Sequence, residues 1–459
     1  MASADPVRIA LVGAGRMGRV HLHAMRSSAA VAPAAVVEPV AAVRETLSAQ
    51  GLITHASVEE LLEAGGFDAV LIAAGGLLTY AGRSDGASFP PLSADVVDID
   101  AGGAAVIPGF VDAHSHIAWL GDRSEEYAAR AAGATYEEIA RRGGGIRSTI
   151  RSTAAGTIDE IHEAAAARAR RMLEHGTTTV EVKSGYGLAH DAEMRQLDAA
   201  IAVGHEEDLP DVVTTYLPLH ALPDGDRETL LAEVCTRGVR DAASRASFCD
   251  VFCEEGAYTV DECRRVLDAA RGAGLEPKIH AEQRTHSGGA RLAAELGAVS
   301  ADHLEHADDD DLHALATAGV TGVLLPGATL VLGGPPPPGG RLLAAGATVA
   351  VATDCNPGTC YSESMPLMVS LAVATAGLTP AQALVAATAG GAAALRLQDR
   401  GMLRAGLRCD AVILHSPHWI DVAYHLGANP AATVIRAGLE VAGGGRGVAA
   451  DEAAAAEPA

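Results

Sequence analysis

The chain has 459 residues, a length that can bury a large hydrophobic core and exceeds that of one small domain. Hydrophobic residues make up 49% and charged residues 20% of the sequence, which excludes an intrinsically disordered chain. The formal net charge of −24, with no basic stripe to offset it, argues against a nucleic-acid or anionic-membrane partner.

The seven cysteines all lie in the second half of the chain, and no two of them form a Cys-x-x-Cys pair. An odd number without such pairs argues against a disulfide framework and against a zinc knuckle, so we expect reduced thiols. The first residues lack an apolar signal segment, and no apolar run reaches the length of a membrane span. The sequence therefore predicts a cytoplasmic protein without a membrane partner.

The N-terminal segment, up to Ala74, alternates strand-like and helix-like stretches in the order β-α-β-α-β, with strands at VRIALVG, AAVVEP and FDAVLIAA. Gly13, Gly15 and Gly18 follow the first strand and open a helix. Glu38 lies 20 residues after Gly18, at the end of the second strand. This spacing is the local fingerprint of a dinucleotide site, so these four residues form a candidate cofactor site, weak or vestigial.

The run RIALVGAGRMGRVHLHAM, together with VVEP, resembles inositol dehydrogenase-type oxidoreductases. The resemblance ends at Ala74, and the second half-sheet and the substrate domain with a catalytic lysine that it implies are missing from the sequence. We therefore expect residues 1–74 to be a partial Rossmann-like segment fused to another protein. The stretch FDAVLIAAGGLLTYAG fits both the third strand of that segment and the first strand of a hairpin.

Short apolar runs broken by Gly, Pro, Ser and Asp follow from residue 75 to residue 100 and indicate hairpins. Beyond Gly401, the runs GLRCDAVILH and ATVIRAG predict further strands. We expect residues 75–103 and 400–445 to form a small accessory β-sheet. The tail 446–459, rich in Ala and Glu, is predicted to be disordered.

Residues 104–399 repeat one pattern eight times. An apolar run rich in β-branched residues ends in polar groups, and an amphipathic helical segment follows most of the runs. Eight β-then-α units predict an α/β fold with a closed (β/α)8 TIM barrel, whose chemistry lies at the C-terminal ends of the strands. The predicted strand runs are 104–116, 177–187, 212–222, 248–258, 275–283, 298–306, 321–328 and 348–358.

Histidines and one aspartate stand where several of these strands are predicted to end. His114 and His116 are two residues apart, so on a strand both imidazoles point to the same face and can bind one ion. His280, His303 and Asp354 end the fifth, sixth and eighth strands. The set His114, His116, His280 and Asp354 supplies three nitrogens and one oxygen and leaves a position for water, as in a catalytic metal site.

A divalent ion at such a site lowers the pKa of its water ligand and polarises a carbonyl oxygen. We expect Asp354 to take the proton of that water and pass it to the leaving nitrogen, and His303 to orient the water without binding the metal. Lys183 is expected to be structural, because a metal-bridging lysine would require ligands for a second ion. The expected cofactor is one zinc or iron ion per chain, since the same ligands accept both.

The motifs PGFVDAHSH, HAEQ, SADHLEH and ATDCNPG resemble the mononuclear branch of the amidohydrolase superfamily. With GGGIRST, KSGYGL, HALP, VFCEEGAY and LLPGA they resemble the imidazolonepropionase family over residues 68–440. The resemblance implies metal ligands at His114, His116, His280 and Asp354, and catalytic roles for Asp354, His303 and Gln283. It also implies substrate contacts from Arg123, Tyr186, His220, Gln283, Asn356, Gly358 and Thr359.

The activity that this resemblance implies is metal-dependent hydrolysis of a cyclic amide C–N bond, converting 4-imidazolone-5-propanoate to N-formimino-L-glutamate in histidine degradation. Arg123 suits the propionate tail, because a guanidinium forms a bidentate, charge-assisted pair with a carboxylate. The alternatives are another cyclic amidohydrolase or an aromatic deaminase of the same superfamily and, from a different class, an NAD-linked oxidoreductase. We expect a small-molecule substrate and no nucleic-acid partner, and a homodimer is compatible with the sequence.

Overall fold

The computed structural model describes most of the chain, namely residues 7–12, 31–37, 54–55, 69–74, 76–83, 99, 101, 103–134, 136–141 and 143–443. Outside these residues lie Gly13, Gly15, Gly18, Glu38, both helices predicted before residue 66, and the tail 446–459. The chain divides into two compact units, residues 1–70 with 82–88 and residues 71–81 with 89–459.

The first unit contains a three-stranded parallel sheet. Its strands are β1 (Val7–Val12), β2 (Val31–Val37) and β3 (Thr54–His55), paired in that order. The first two strands overlap the predicted ones, whereas β3 is too short to show an alternating pattern in the sequence. The Rossmann-like character of this unit stays a prediction.

The ambiguous stretch FDAVLIAAGGLLTYAG forms a hairpin. Its strands β4 (Ala69–Ala74) and β5 (Leu77–Arg83) pair in a two-stranded sheet and do not extend the three-stranded one. Backbone hydrogen bonds join this hairpin to residues 406–409. Leu78 donates to the carbonyl of Leu407 at 2.7 Å, and Cys409 donates to the carbonyl of Gly76 at 2.9 Å.

Eight parallel strands form a single sheet in chain order, and the predicted (β/α)8 barrel is confirmed. Every residue of the second barrel strand is buried, as expected for a parallel strand covered on both faces. The strands are β7 (Phe110–Asp112), β8 (Thr177–Lys183), β9 (Asp211–Leu219), β10 (Phe248–Cys253), β11 (Glu276–Ala281), β12 (Ser300–His303), β13 (Thr321–Leu324) and β14 (Val349–Val351).

Helices connect the strands, and capping residues in the sequence mark where two of them begin. Thr157 and Glu160 form a capping box at the start of the helix Ile158–Glu174, and Thr259 and Glu262 form another at Val260–Gly272. In chain order the helices are α1 (Ser124–Ala131), α2 (Tyr136–Arg141), α3 (Ile146–Ala155), α4 (Ile158–Glu174), α5 (His190–Gly204), α6 (Arg227–Glu233), α7 (Val239–Ala242), α8 (Val260–Gly272), α9 (Gly289–Leu296), α10 (Asp309–Ala318), α11 (Pro326–Leu332), α12 (Gly339–Ala345), α13 (Met365–Thr375), α14 (Pro380–Val385), α15 (Gly391–Ala394) and α16 (Asp421–Tyr424). Single π-helical turns, Val234–Gly238 and Ala386–Gly390, join α6 to α7 and α14 to α15.

The accessory sheet is antiparallel and has four strands, in the order β17 (Leu439–Gly443), β16 (Ala431–Arg436), β15 (Ala411–Leu414) and β6 (Val106–Pro108). The prediction of one barrel strand over 104–116 was wrong in its first part, because β6 belongs to this sheet. The run divides at Gly109, whose N–H donates to the carbonyl of Asp410 at 3.0 Å. A side chain at Gly109 would collide with Thr178, so the chain passes directly from one sheet to the other only with glycine here.

An ionic junction attaches the accessory sheet to the start of β9. Three arginines from the C-terminal segment pair with the carboxylate of Asp211: Arg400 at 2.6 Å, Arg408 at 3.0 Å and Arg436 at 2.6 Å. Arg400 is buried, so its pair with Asp211 is screened little by salt.

Among the described residues, none of the helices combines the length and the apolar character needed to cross a membrane.

Gly391 offers a test of barrel packing. A Cβ at this position would lie 2.1 Å from the carbonyl oxygen of Val111, on the first barrel strand. We expect Gly391→Ala to lower the free energy of unfolding by about 1–3 kcal/mol, the usual cost of overpacking. Gly272→Ala is the control, because a Cβ there meets no atom within 4 Å. Urea unfolding measures both, and equal stability of the two variants would contradict the packing described here.

Candidate active site

The first and last barrel strands meet through backbone hydrogen bonds just beyond their ends, at a junction we call the closing seam, formed by residues 114–116 and 354–355. Asp354 donates to the carbonyl of His114, and His116 donates to the carbonyl of Cys355, both at 3.0 Å. Ser115 and Cys355 form a parallel bridge between these bonds. The seam therefore places the two histidines of the His-x-His pair beside Asp354.

The side chains at the seam converge on one point. Nε2 of His114 and Nε2 of His116 are 3.3 Å apart, and they lie 3.6 and 3.5 Å from Oδ1 of Asp354. Ligands about 2.0–2.2 Å from a tetrahedral ion are separated by roughly 3.3–3.6 Å, so these spacings suit a metal. His280 completes the set, since its ligand atom lies within 4.8 Å of those of His114 and His116. Its Nε2 is buried without a hydrogen-bond partner, as a nitrogen reserved for a metal would be.

Two buried carboxylates that sequence reasoning missed stand behind these histidines. Oδ2 of Asp302 lies 2.6 Å from Nδ1 of His114, and Oδ2 of Asp250 lies 3.0 Å from Nδ1 of His280. Asp302 can accept a hydrogen bond from Nδ1–H of His114, which leaves the lone pair of Nε2 free for a metal. The Asp250–His280 pair is a close ionic contact, in which Nδ1 of His280 does not have hydrogen-bond geometry. The signal available in the sequence was a lone acidic residue inside each apolar strand run, SADH and FCDVFC.

Burial is the main reason why the pKa of His114 and that of His116 lie well below the usual value, and neighbouring cationic groups lower both further. The neutral imidazoles that result are the form that binds a metal. The pKa of Asp354 is raised by burial, against the opposing influence of His303 and His280.

His303 lies beside the three-histidine cluster. Its ring centroid is 5.4 Å from that of His280 and 5.7 Å from that of His114. Its Nδ1 is 3.7 Å from Oε2 of Glu305. Burial lowers the pKa of His303, but Glu305, Asp354 and Asp302 outweigh it, and the pKa is raised overall. That His303 orients water without binding a metal stays a prediction.

The loop after β14 orients Asp354. Thr359 Oγ1 donates to Oδ2 of Asp354 at 3.1 Å, and the amide of Asn356 donates to the backbone carbonyl of Asp354 and to Thr359 Oγ1, both at 2.7 Å. Oδ1 of Asn356 accepts from the N–H groups of Gly358 and Thr359. Both amide hydrogens of Asn356 are used in this loop, so its side chain fixes the shape of the loop, and its predicted contact with a substrate stays a prediction.

The guanidinium group of Arg123 lies against the same loop, next to Gly358. A side chain at Gly358 would collide with its guanidinium. Arg123 also pairs with Glu126, through Nε at 3.0 Å and through Nη2. Glu126 in turn accepts from the backbone N–H of Gly145 at 2.8 Å. The Nε edge of the guanidinium is therefore held by Glu126, and its Nη1 side faces the loop.

Tyr186 and His220 lie beside the three-histidine cluster. They follow the second and third barrel strands. The rings of His220 and His116 stack with centroids 4.9 Å apart and an interplanar angle of 14°, and the Tyr186 ring is 5.1 Å from His220. Nδ1 of His220 lies 3.1 Å from the carbonyl of Gly185. Burial, helped by His280, lowers the pKa of His220 to about 3, so this ring is neutral.

Gln283 is the predicted site residue that the structure connects least to the others. It is half-buried in the turn after β11, and its side chain makes no hydrogen bond with any described residue. The strand-end residue Glu254 bonds to the same turn, since it accepts from the N–H of Arg284 at 2.8 Å and from the hydroxyl of Thr285.

Comparisons with known proteins identify the family of the chain. The profile of the amidohydrolase family matches residues 105–441. An imidazolonepropionase of Haloarcula marismortui is 46% identical over 362 residues, which cover 77% of this chain and 85% of the relative. An imidazolonepropionase of Deinococcus deserti is 44% identical over 376 residues, covering 82% and 92%.

Solved structures share the fold at lower identity. A 5-methylcytosine deaminase from Klebsiella pneumoniae is similar with a TM-score of 0.66 and 18% identity, covering 83% of this chain and 95% of that one. An adenosine deaminase from Xanthomonas campestris with bound zinc has a TM-score of 0.61 and 20% identity, covering 81% and 88%. At these identities the likeness extends to the fold alone.

Two alanine variants test whether His280 binds a metal ion and whether His303 does not. His280→Ala should lower the metal content of the purified protein, because it removes one of four ligands. His303→Ala should keep the wild-type metal content, because its ring stands outside the cluster of ligand atoms. Elemental analysis by mass spectrometry measures both. An empty site in His303→Ala would show that His303 is itself a ligand.

Proposed function

The chain belongs to the amidohydrolase family and, within it, to the imidazolonepropionases, and on this basis we propose that it hydrolyses the ring C–N bond of 4-imidazolone-5-propanoate. The product is N-formimino-L-glutamate, an intermediate of histidine degradation. The observation that carries the proposal is the convergence of His114, His116, His280 and Asp354 at the C-terminal end of the barrel. A cytoplasmic location and assembly as a homodimer stay predictions of the sequence.

We propose that these four residues hold a single zinc or iron ion. Three imidazole nitrogens and one carboxylate oxygen suit either metal. When bound, the ion supplies acidification of water and polarisation of the substrate carbonyl. Members of the family are in general metal-dependent, and the histidine-rich cluster of this chain fits that chemistry.

Asp354 is the proposed proton carrier. As water attacks the ring carbonyl carbon, the carboxylate accepts a proton from the water and then delivers it to the ring nitrogen as the C–N bond breaks. Thr359 holds Oδ2 of this carboxylate at 3.1 Å and fixes its direction. His303, beside the cluster, orients the attacking water. The delivered proton matters because an unprotonated amide nitrogen is a poor leaving group.

Arg123 is the proposed partner of the substrate propionate. Glu126 occupies its Nε edge, which holds the guanidinium in one orientation and leaves the hydrogens of Nη1 for a second carboxylate. Gly358 leaves room for this contact because it has no side chain. Tyr186, the neutral ring of His220, and Gln283 are proposed to contact the imidazolone ring.

A direct assay tests the proposed activity. The purified protein, loaded with zinc or iron, should deplete the ultraviolet absorbance of imidazolone propionate, and the product should be N-formimino-L-glutamate. Mass spectrometry identifies the product, and the Asp354→Asn variant is the inactive control. A metal-loaded protein without turnover of this compound would exclude the proposed substrate.

The proposed role of Arg123 makes a kinetic prediction. Arg123→Lys should raise KM by about one to two orders of magnitude, roughly 1.5–3 kcal/mol for a charged hydrogen bond. The reason is that a guanidinium, which can donate two parallel hydrogen bonds to a carboxylate, is replaced by an ammonium group that cannot. Arg171→Lys is the matched control, since Arg171 pairs with Glu363 on the surface. Steady-state kinetics measures both. An unchanged KM in Arg123→Lys would remove this residue from the substrate site.

A further inference from the structure

Lys183, the last residue of β8, is fully buried inside the barrel. It lies near the proposed metal-binding histidines. Its ammonium group lies among three carboxylates. Nζ is 2.8 Å from Oδ2 of Asp250, 3.0 Å from Oε2 of Glu181 and 3.4 Å from Oδ2 of Asp302. A buried ammonium requires such partners, because its desolvation is costly.

The oxygens that face Lys183 are those that face the metal-binding histidines. Oδ2 of Asp302 lies between Lys183 and Nδ1 of His114, and Oδ2 of Asp250 lies between Lys183 and Nδ1 of His280. One cation thus contacts both carboxylates that back the histidine ligands. The proposed catalytic steps make no use of this lysine.

We propose that Lys183 is a positioning residue of the metal centre, holding Asp250 and Asp302 so that His280 and His114 present Nε2 to the ion. This inference rests on the proposed metal-dependent function. Lys183 itself touches neither the ion nor the substrate. It acts on the site indirectly, by fixing two carboxylates that in turn fix two imidazoles. Residues behind metal ligands commonly set the orientation of those ligands in this way.

The charges of the connected groups support this role. Lys183 is the cation that both carboxylates share, since its Nζ lies 2.8 Å from Oδ2 of Asp250 and 3.4 Å from Oδ2 of Asp302. Without Lys183, Asp250 and Asp302 would be two buried carboxylates close together with no shared cation, and they would turn away from each other and from the histidines.

The chain provides a matched comparison in Lys278. This lysine is also fully buried in the barrel, one residue before Ile279 and two before His280. Its Nζ donates to Oε1 of Glu181 at 2.7 Å and to the carbonyl of Ala113 at 3.3 Å. Lys278 therefore forms no hydrogen bond with Asp250 or Asp302, the two carboxylates next to the histidines. A purely structural role for buried lysines would make the two residues equivalent.

The test compares Lys183→Met with Lys278→Met, each replacing an ammonium by an apolar chain of similar length. Zinc is removed from the folded full-length proteins, and the Kd for Zn²⁺ is measured by competition with a chromogenic chelator, with circular dichroism as the folding check. We expect Lys183→Met to raise the Kd by about 10- to 100-fold, as for other residues behind metal ligands. Lys278→Met should bind Zn²⁺ close to wild type.

A folded Lys183→Met with the wild-type Kd, or equal losses in both variants, would overturn the inference. If Lys183→Met does not fold, the comparison moves to the Asp250→Asn background, where one charge of each sign is removed. There Asp250→Asn with Lys183→Met should bind Zn²⁺ more weakly than Asp250→Asn alone, and equal affinity would overturn the inference. A wild-type protein that binds no Zn²⁺ or Fe²⁺ would instead contradict the proposed function, so the two failures are distinguishable.

Discussion

The closing seam between the first and last barrel strands is the constraint on which the active site depends. The bonds that join residues 114–116 to residues 354–355 also set the separation between the two histidines of the His-x-His pair and Asp354. About 240 residues of chain lie between the two sides of the seam, so the ligand set exists only when the barrel is closed. Folding and assembly of the site are therefore a single event.

The site is costly to the fold in two ways. His303 and Asp354 adopt positive φ angles, 82° and 50°, that residues with side chains rarely take. The barrel interior also holds several ionisable groups whose desolvation opposes folding. Several of these groups form buried ion pairs, such as Lys183 with Asp250 and Lys278 with Glu181, whereas ring nitrogens of His280 and His303 have no hydrogen-bond partner. The stability of this barrel must come from the large apolar core around the strands and the helices that cover them.

Local patterns predicted the barrel, and they singled out four residues whose side chains converge in the structure, namely His114, His116, His280 and Asp354. Apolar runs ending in polar groups predicted eight strands, and the spacing of two in His114-Ser115-His116 predicted that both imidazoles point to the same face. Those features depend only on neighbours in the sequence. The family resemblance is confirmed by relatives above 40% identity, and the substrate contacts that it implies stay predictions.

Contacts between strands could not be predicted in the same way. Asp250 and Asp302 meet Lys183 because of the stagger between strands, which one sequence does not reveal. The same holds for Asn356, whose amide is used within its own loop, and for Glu126, which occupies one edge of Arg123. The division of the run 104–116 at Gly109 depends on pairing with residues far along the chain.

That division has a consequence for how the protein can change in evolution. Residues 106–116 run from the accessory sheet through Gly109 into the barrel and on to His114 and His116 without a long loop. Inserting or deleting one residue between Gly109 and His114 would turn every later side chain to the opposite face of the strand. Loops that follow the barrel strands have no such restriction, because length changes there leave the register intact. A change in the length of this short segment should therefore be far more damaging than the same change in an exposed loop.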